Sequence, residues 1–88
     1  MRVNSGFVMR DVAGQTVIVA TGEASKSFNG MIKVNETGRI VWQGLLDGSD
    51  ETTIVDRIVD RFGVDRDVAE SDVRAFIDDM RRRGFLSE

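Results

Sequence analysis

Ser25-Lys26-Ser27 is the nearest approach to a nucleophile beside a base in this 88-residue chain. Histidine and cysteine are both absent. Their absence removes imidazole acid–base chemistry, thiol nucleophiles and ordinary zinc ligation. A Ser–Lys pair or paired carboxylates are the enzymatic options left. The stretch around Lys26 is small and polar and has nothing to activate an amine. Asp56 and Asp60 stand one helical turn apart, flanked by Arg57 and Arg61, which is the pattern of an exposed helical rung. Asp47, Ser49 and Glu51 fall short of a calcium loop because the glycine and the distal glutamate are misplaced. No glycine-rich phosphate loop occurs. These residues predict no catalytic centre, no metal and no cofactor.

The charges read as surface. Glu70–Arg74, Asp78–Arg82 and Asp79–Arg83 have the i,i+4 spacing with the acid first, the favourable order on a helix. Arg81-Arg82-Arg83 is the strongest basic cluster, and cations at a helix C-terminus are favoured by the helix dipole. A helix that neutralises phosphates should be clearly positive, yet here the arginines are offset by Asp67, Glu70, Asp72, Asp78 and Asp79. The net charge of -3 adds no pull toward nucleic acid or anionic membrane. No apolar run approaches a membrane span and the N-terminal residues lack a signal-peptide core, so the cytoplasm is the expected location.

The elements that position these residues follow from periodicity. Eighty-eight residues allow one domain, 1–88, with one modest core. Glycines at 6, 14, 22, 30 and 38 fall eight apart with unlike flanks, which suits short strands punctuated by turns. Phe7–Val12 and Gln15–Ala20 flank Ala13-Gly14, a good two-residue hairpin loop. Residues 21–30 read as a loop anchored by Phe28, and Met31–Val34 as a third strand. From Asn35, an N-cap, the period becomes helical through Val41, Trp42, Leu45 and Leu46 to Gly48. Trp42, alone on an apolar stripe, is expected in the core. A second helix starts near Ser49 or Asp50, carries Ile54, Val55, Ile58, Val59 and Phe62, and stops at Gly63. A third starts near Asp65 or Asp67, with capping-box spacing from Asp67 to Glu70; its stripe is Ala69, Val73, Phe76 and Met80, with Ile77 beside it, and Gly84 ends it. Val59–Val64 and Met80–Phe85 have the spacing of Schellman-stop contacts. The expected fold is α+β: a three-stranded antiparallel sheet followed by three helices packed on one face.

The third strand runs directly into the first helix. Its alternation puts Ile32 and Val34 on one face and Met31 and Lys33 on the other. An exposed strand edge offers unpaired donors and acceptors that proteins normally block with charge, bulges or cover. Lys33 is such a charge, and it can equally pair with an acidic peptide added as a further strand. Of the Met31 and Lys33 amides, one is expected to face outward and the other to pair within the sheet. Ile77 is expected at the margin of the core stripe, nearest the resulting groove. Two other readings stay open here: a winged-helix regulator that binds DNA, and a structural or oligomerisation domain pairing through the same edge.

"NGMIKVNETGRIVWQGLLDG" followed by "IVDRFGVDRDVAESDVRAFIDDMRRRGFL" resembles the PqqD-like family, named for the small chaperone of pyrroloquinoline quinone biosynthesis. The shared pattern is a short strand, Asn-Glu-Thr-Gly, an apolar helix with tryptophan, and a closing arginine-rich turn before Gly-Phe-Leu. The resemblance implies a winged helix-turn-helix-like module that recognises precursor peptides and is not itself an enzyme. Such a module takes the leader segment of a ribosomally made precursor as an added strand, in the groove between its third strand and third helix. It presents the core segment to a modifying enzyme, often a radical S-adenosylmethionine maturase. Carried onto this chain, the peptide-binding elements are Met31, Ile32, Lys33 and Val34, and the helical face at Arg74, Ile77, Asp78 and Arg81.

Overall fold

The computed structural model describes residues 1–27 and 30–87. Strands β2 (Phe7–Val12) and β3 (Gln15–Ala20) form a hairpin. Ala13 and Gly14 turn it with positive φ of 52° and 80°, the two-residue geometry that matches the natural strand twist. Strand β4 (Met31–Val34) joins the other side of β3 antiparallel, so the order is β2-β3-β4 and β4 lies at an edge. Cross-strand partners share a face. Phe7, Met9, Ile18, Ile32 and Val34 therefore look one way, and that face packs on the helices.

Helices α2 (Glu36–Leu46), α3 (Glu51–Phe62) and α4 (Arg66–Arg82) form the second layer. Asn35 caps α2 by accepting from the Gly38 N–H at 2.9 Å, and Asp50 caps α3 by accepting from the Thr53 N–H at 2.8 Å. Their buried stripes meet in one core built from Val41, Trp42, Ile54, Ile58, Val73 and Met80 together with Ile18 of the sheet. Trp42 is fully buried, as its place on the stripe predicts. Phe85 stacks on Phe7 at 4.3 Å between ring centroids and meets Trp42 edge-on at 6.5 Å. The expected α+β architecture, three antiparallel strands and three helices, is thus present. Among the described residues no helix is long and apolar enough to cross a membrane.

Three elements were not legible in the sequence. Residues 24–27 form a one-turn helix, α1 (Ala24–Ser27), inside the expected loop. Strands β1 (Arg2–Val3) and β5 (Leu86–Ser87) pair with each other as a separate two-stranded sheet. Asn4 reinforces them through its backbone N–H to the Phe85 carbonyl (2.9 Å) and its side-chain amide to the Gly84 carbonyl (2.8 Å). The expected anchor Phe28 lies outside the described residues.

Helix ends agree with their sequence signals except in two places. Helix α4 starts at Arg66 after Asp65, with no side-chain cap bond, so Asp67 belongs to its first turn and not to a capping box. Its C-terminus is the expected Schellman stop: the Phe85 N–H reaches the Met80 carbonyl and the Gly84 N–H the Arg81 carbonyl, both at 3.0 Å. Helix α3 instead ends in the simpler left-handed stop, with the Gly63 N–H on the Val59 carbonyl at 2.8 Å. Of the three expected i,i+4 ion pairs, the structure shows Asp79–Arg83 at 3.2 Å. Asp78 pairs with Arg81 (3.5 Å), and Arg74 reaches across to Glu51 of α3 (3.5 Å). Asp56 accepts a 2.6 Å bond from Arg66. That bond holds the Arg66 guanidinium above its ordinary pKa.

Candidate functional site: a groove beside an open strand edge

The direction of each β4 amide follows from the hairpin register. Val12 and Gln15 flank a two-residue loop and face each other, so they form a hydrogen-bonded pair. The pairs then alternate along the strands. The Thr21 N–H to Gly6 carbonyl bond of 2.6 Å, three double steps further on, agrees with that phase. Gln15, Val17 and Val19 thus direct their N–H and C=O groups at β2, and Thr16 and Ile18 direct theirs at β4. Their partners Val34 and Ile32 are tied into the sheet. Met31 and Lys33 consequently turn both their amides and their carbonyls to the open edge. The expectation that one of these two amides points out and the other in is corrected by this register, because residues two apart on a strand have the same backbone orientation.

Beside that edge lies a groove of about 660 Å³. The sheet supplies Ile32, Lys33 and Val34, the hairpin supplies Gly14 to Thr16, and Asn35 and Glu36 close the end where β4 becomes α2. The opposite wall is α4, through Phe76, Asp79, Met80 and Arg83. Phe76 is half-buried against the core and Met80 fully buried, so the floor is apolar. Gly38 shapes it. A Cβ there would stand 2.5 Å from Val34 Cγ1 and 2.7 Å from Phe76 Cε1, so the bare glycine lets the ring lie against α2. The rim is charged and internally compensated. Arg61 Nη2 holds Glu36 Oε1 at 3.3 Å, and Asp79 Oδ1 receives Arg83 Nε at 3.2 Å and Arg82 Nη2 at 3.7 Å. Lys33 makes no ion pair among the described residues.

Of the eight residues picked out from sequence, Ile32, Lys33 and Val34 line the groove. Met31 is on the edge but outside the groove, with 58% of its surface exposed. Arg74, Ile77, Asp78 and Arg81 do not line it. Ile77, expected at the margin of the stripe beside the groove, is 4% exposed inside the core, and Phe76 holds the marginal place instead. Arg74 faces α3 through Glu51, and Arg81 contacts Asp78 and the Met1 sulfur. Arg74, Asp78 and Arg81 lie on the opposite flank of the apolar stripe from Phe76, Asp79 and Arg83, while Ile77 and Met80 belong to the stripe itself. Each α4 residue that lines the groove comes about two residues later, roughly 200° around the helix at 3.6 residues per turn. The sequence signal that could have found the wall is Phe76, the large apolar residue that the buried stripe at 69, 73, 77 and 80 leaves at its margin.

The residues with apparent chemical potential are dispersed. Ser25 donates to the Gly22 carbonyl at 2.6 Å, and Lys26 pairs with Glu23 on the surface at 3.3 Å. The Arg81–Arg83 cluster is fully engaged with Asp78 and Asp79.

A small antiparallel sheet with β4 at an open edge, a three-helix layer over one face and an apolar groove between that edge and the last helix define a compact α+β scaffold. The chain belongs to the PqqD family: the family described as coenzyme PQQ synthesis protein D matches residues 9–86. Among curated proteins, none matches the chain in sequence. Two solved structures share its fold. One, described as TbiB1 in complex with the TbiA(beta) leader peptide, has a TM-score of 0.79 at 22% identity, covering 99% of this chain and 95% of that one. The other, lasso peptide synthetase B1 complexed with the leader peptide, has a TM-score of 0.80 at 18% identity, covering 99% and 96%.

Proposed function

We propose that this protein is a peptide chaperone. It takes the leader segment of a ribosomally made precursor as a fourth strand on β4, over the groove walled by Phe76 and Met80, and presents the rest to a modifying enzyme. The observation that carries this reading is the outward set of the Met31 and Lys33 amides and carbonyls beside an apolar groove. An added strand satisfies those groups, and side chains entering the groove give selectivity. Membership of the PqqD family and the leader-bound state of both structural neighbours support it. On this reading residues 1–88 act as one recognition domain in the cytoplasm, catalyse nothing themselves, and serve a partner such as a radical S-adenosylmethionine maturase. Of the family's candidate contacts, Met31 to Val34 belong to the binding edge, with Phe76, Asp79, Met80 and Arg83 taking the place of Arg74, Ile77, Asp78 and Arg81.

The test is a titration of labelled leader segments from candidate precursor peptides, at several salt concentrations, with duplex DNA in parallel. Leader binding should change little with salt, and DNA should not bind. Binding of DNA that falls steeply with salt would instead support the regulator reading.

A further inference from the structure

Resting on that reading, we infer that the edge selects peptides in which an acidic residue stands between two apolar ones, and that Lys33 is the residue that reads the acid. In an antiparallel addition the incoming residues opposite Ile32 and Val34 share their inner face. They point into the groove between those side chains and Phe76 and Met80. Two apolar side chains one residue apart, about 6–7 Å along a strand, suit that apolar floor.

The residue between them lies opposite Lys33 and shares its outer face. That face has a consistent charge. Its residues are Val8, Arg10 and Val12 on β2, Gln15, Val17 and Val19 on β3, and Met31 and Lys33 on β4. Among these described strand residues Arg10 and Lys33 carry the only charges, and both are cations. They stand in one cross-strand row, Arg10 opposite Val17 and Val17 opposite Lys33. The next position in that row, off the open edge, belongs to the incoming strand. The acids at the groove rim do not compete for Lys33, because Glu36 is held by Arg61 and Asp79 by Arg82 and Arg83. An acid placed there completes the row, whereas a lysine meets an uncompensated ammonium at cross-strand distance. Such opposed charge pairs shift affinity by about 0.2–1 kcal/mol, or up to about fivefold.

The experiment is a selection of random twelve-residue peptides displayed on phage against the whole chain, repeated on Lys33→Glu and Lys33→Pro. The wild-type protein should enrich an apolar–acidic–apolar pattern. A synthesised winner should bind about two- to fivefold tighter than its copy with serine at the centre. Lys33→Glu should reverse the order, favouring lysine or arginine at that centre alone. If winners lose affinity on Lys33→Pro but tolerate any charge at the centre, on wild type and Lys33→Glu alike, the acid preference is wrong and the strand-addition reading stands. Winners indifferent to Lys33→Pro, or no winners at all, overturn both.

Discussion

Proline substitution at two adjacent positions of β4 separates the roles of its two backbone faces. Lys33→Pro removes an N–H that points off the sheet, so no ladder bond inside the protein is lost, and an edge strand tolerates proline there. Its cost to folding should stay within about 1 kcal/mol, or about 4–8 °C in Tm for a domain this small. Leader binding loses one of the two donors that β4 offers outward. One net hydrogen bond is worth about 0.5–1.5 kcal/mol, which weakens the complex about two- to twelvefold. Lys33→Gln removes the charge and keeps the donor, so the difference between the two variants isolates the backbone bond. Ile32→Pro deletes an N–H that faces β3, strips a half-buried side chain from the core and leaves the Ile18 carbonyl without its partner. It should cost about 3 kcal/mol or more, against a total stability of about 5–15 kcal/mol, with Tm falling by more than about 12 °C. The assay is a titration of fluorescent leader peptide, with thermal unfolding of each variant. If Ile32→Pro melts like the wild type while Lys33→Pro unfolds the chain, the assignment of the edge is wrong. Unchanged affinity in a folded Lys33→Pro protein refutes strand addition.

The groove wall makes a second contrast. Phe76→Ala should weaken leader binding by at least about fivefold as a buried aromatic anchor does, whereas Arg74→Ala and Asp78→Ala, on the opposite flank of α4, should leave the titration unmoved. Gly38→Ala should push Phe76 and Val34 apart at a cost of about 1–3 kcal/mol, seen as a lower Tm and a weaker complex. The Thr53 N–H holds the Asp50 carboxyl below its ordinary pKa. The cap's contribution is therefore complete above the usual carboxylate range and is lost as the pH falls through the lowered folded value. Between about pH 5 and about pH 2 the wild type should accordingly lose more of its Tm than Asp50→Asn, whose amide caps without titrating.

What could be read in advance depended on how local its cause is. Asn35 and Asp50 cap their helices through N–H groups three residues on, and the Ala13-Gly14 loop closes on its own neighbours, so sequence alone placed Asn35 and the loop and narrowed the start of α3 to Ser49 or Asp50. The pairing of Arg2–Val3 with Leu86–Ser87 joins residues more than eighty positions apart in strands two residues long, too short to show any alternation. The α4 side of the groove was not legible for a related reason. Periodicity puts 69, 73, 76 and 80 in the stripe with Ile77 beside it, whereas Ile77 is the buried member and Phe76 the marginal one; which flank borders β4 depends on how the helix lies across the sheet. That placement is fixed by Gly38 admitting Phe76 beside Val34. The choice of amides on β4 needed the phase of a register set at the far hairpin, and alternation within four residues has no phase of its own.

Trp42 has one more consequence. It is the only tryptophan in a chain without tyrosine. Its ring is fully buried, and its Nε1 is without a hydrogen-bond partner among the described residues. All indole emission therefore arises from one dry, apolar position, and it belongs at the blue end of the tryptophan range and moves red when the core opens to water. Trp42 does not border the groove, so an unlabelled ligand leaves its wavelength in place. The molecule thus carries an optical gauge of its own folding that ignores occupancy. With an acceptor dye on the incoming peptide, the same indole becomes a donor whose quenching reports the distance from core to edge.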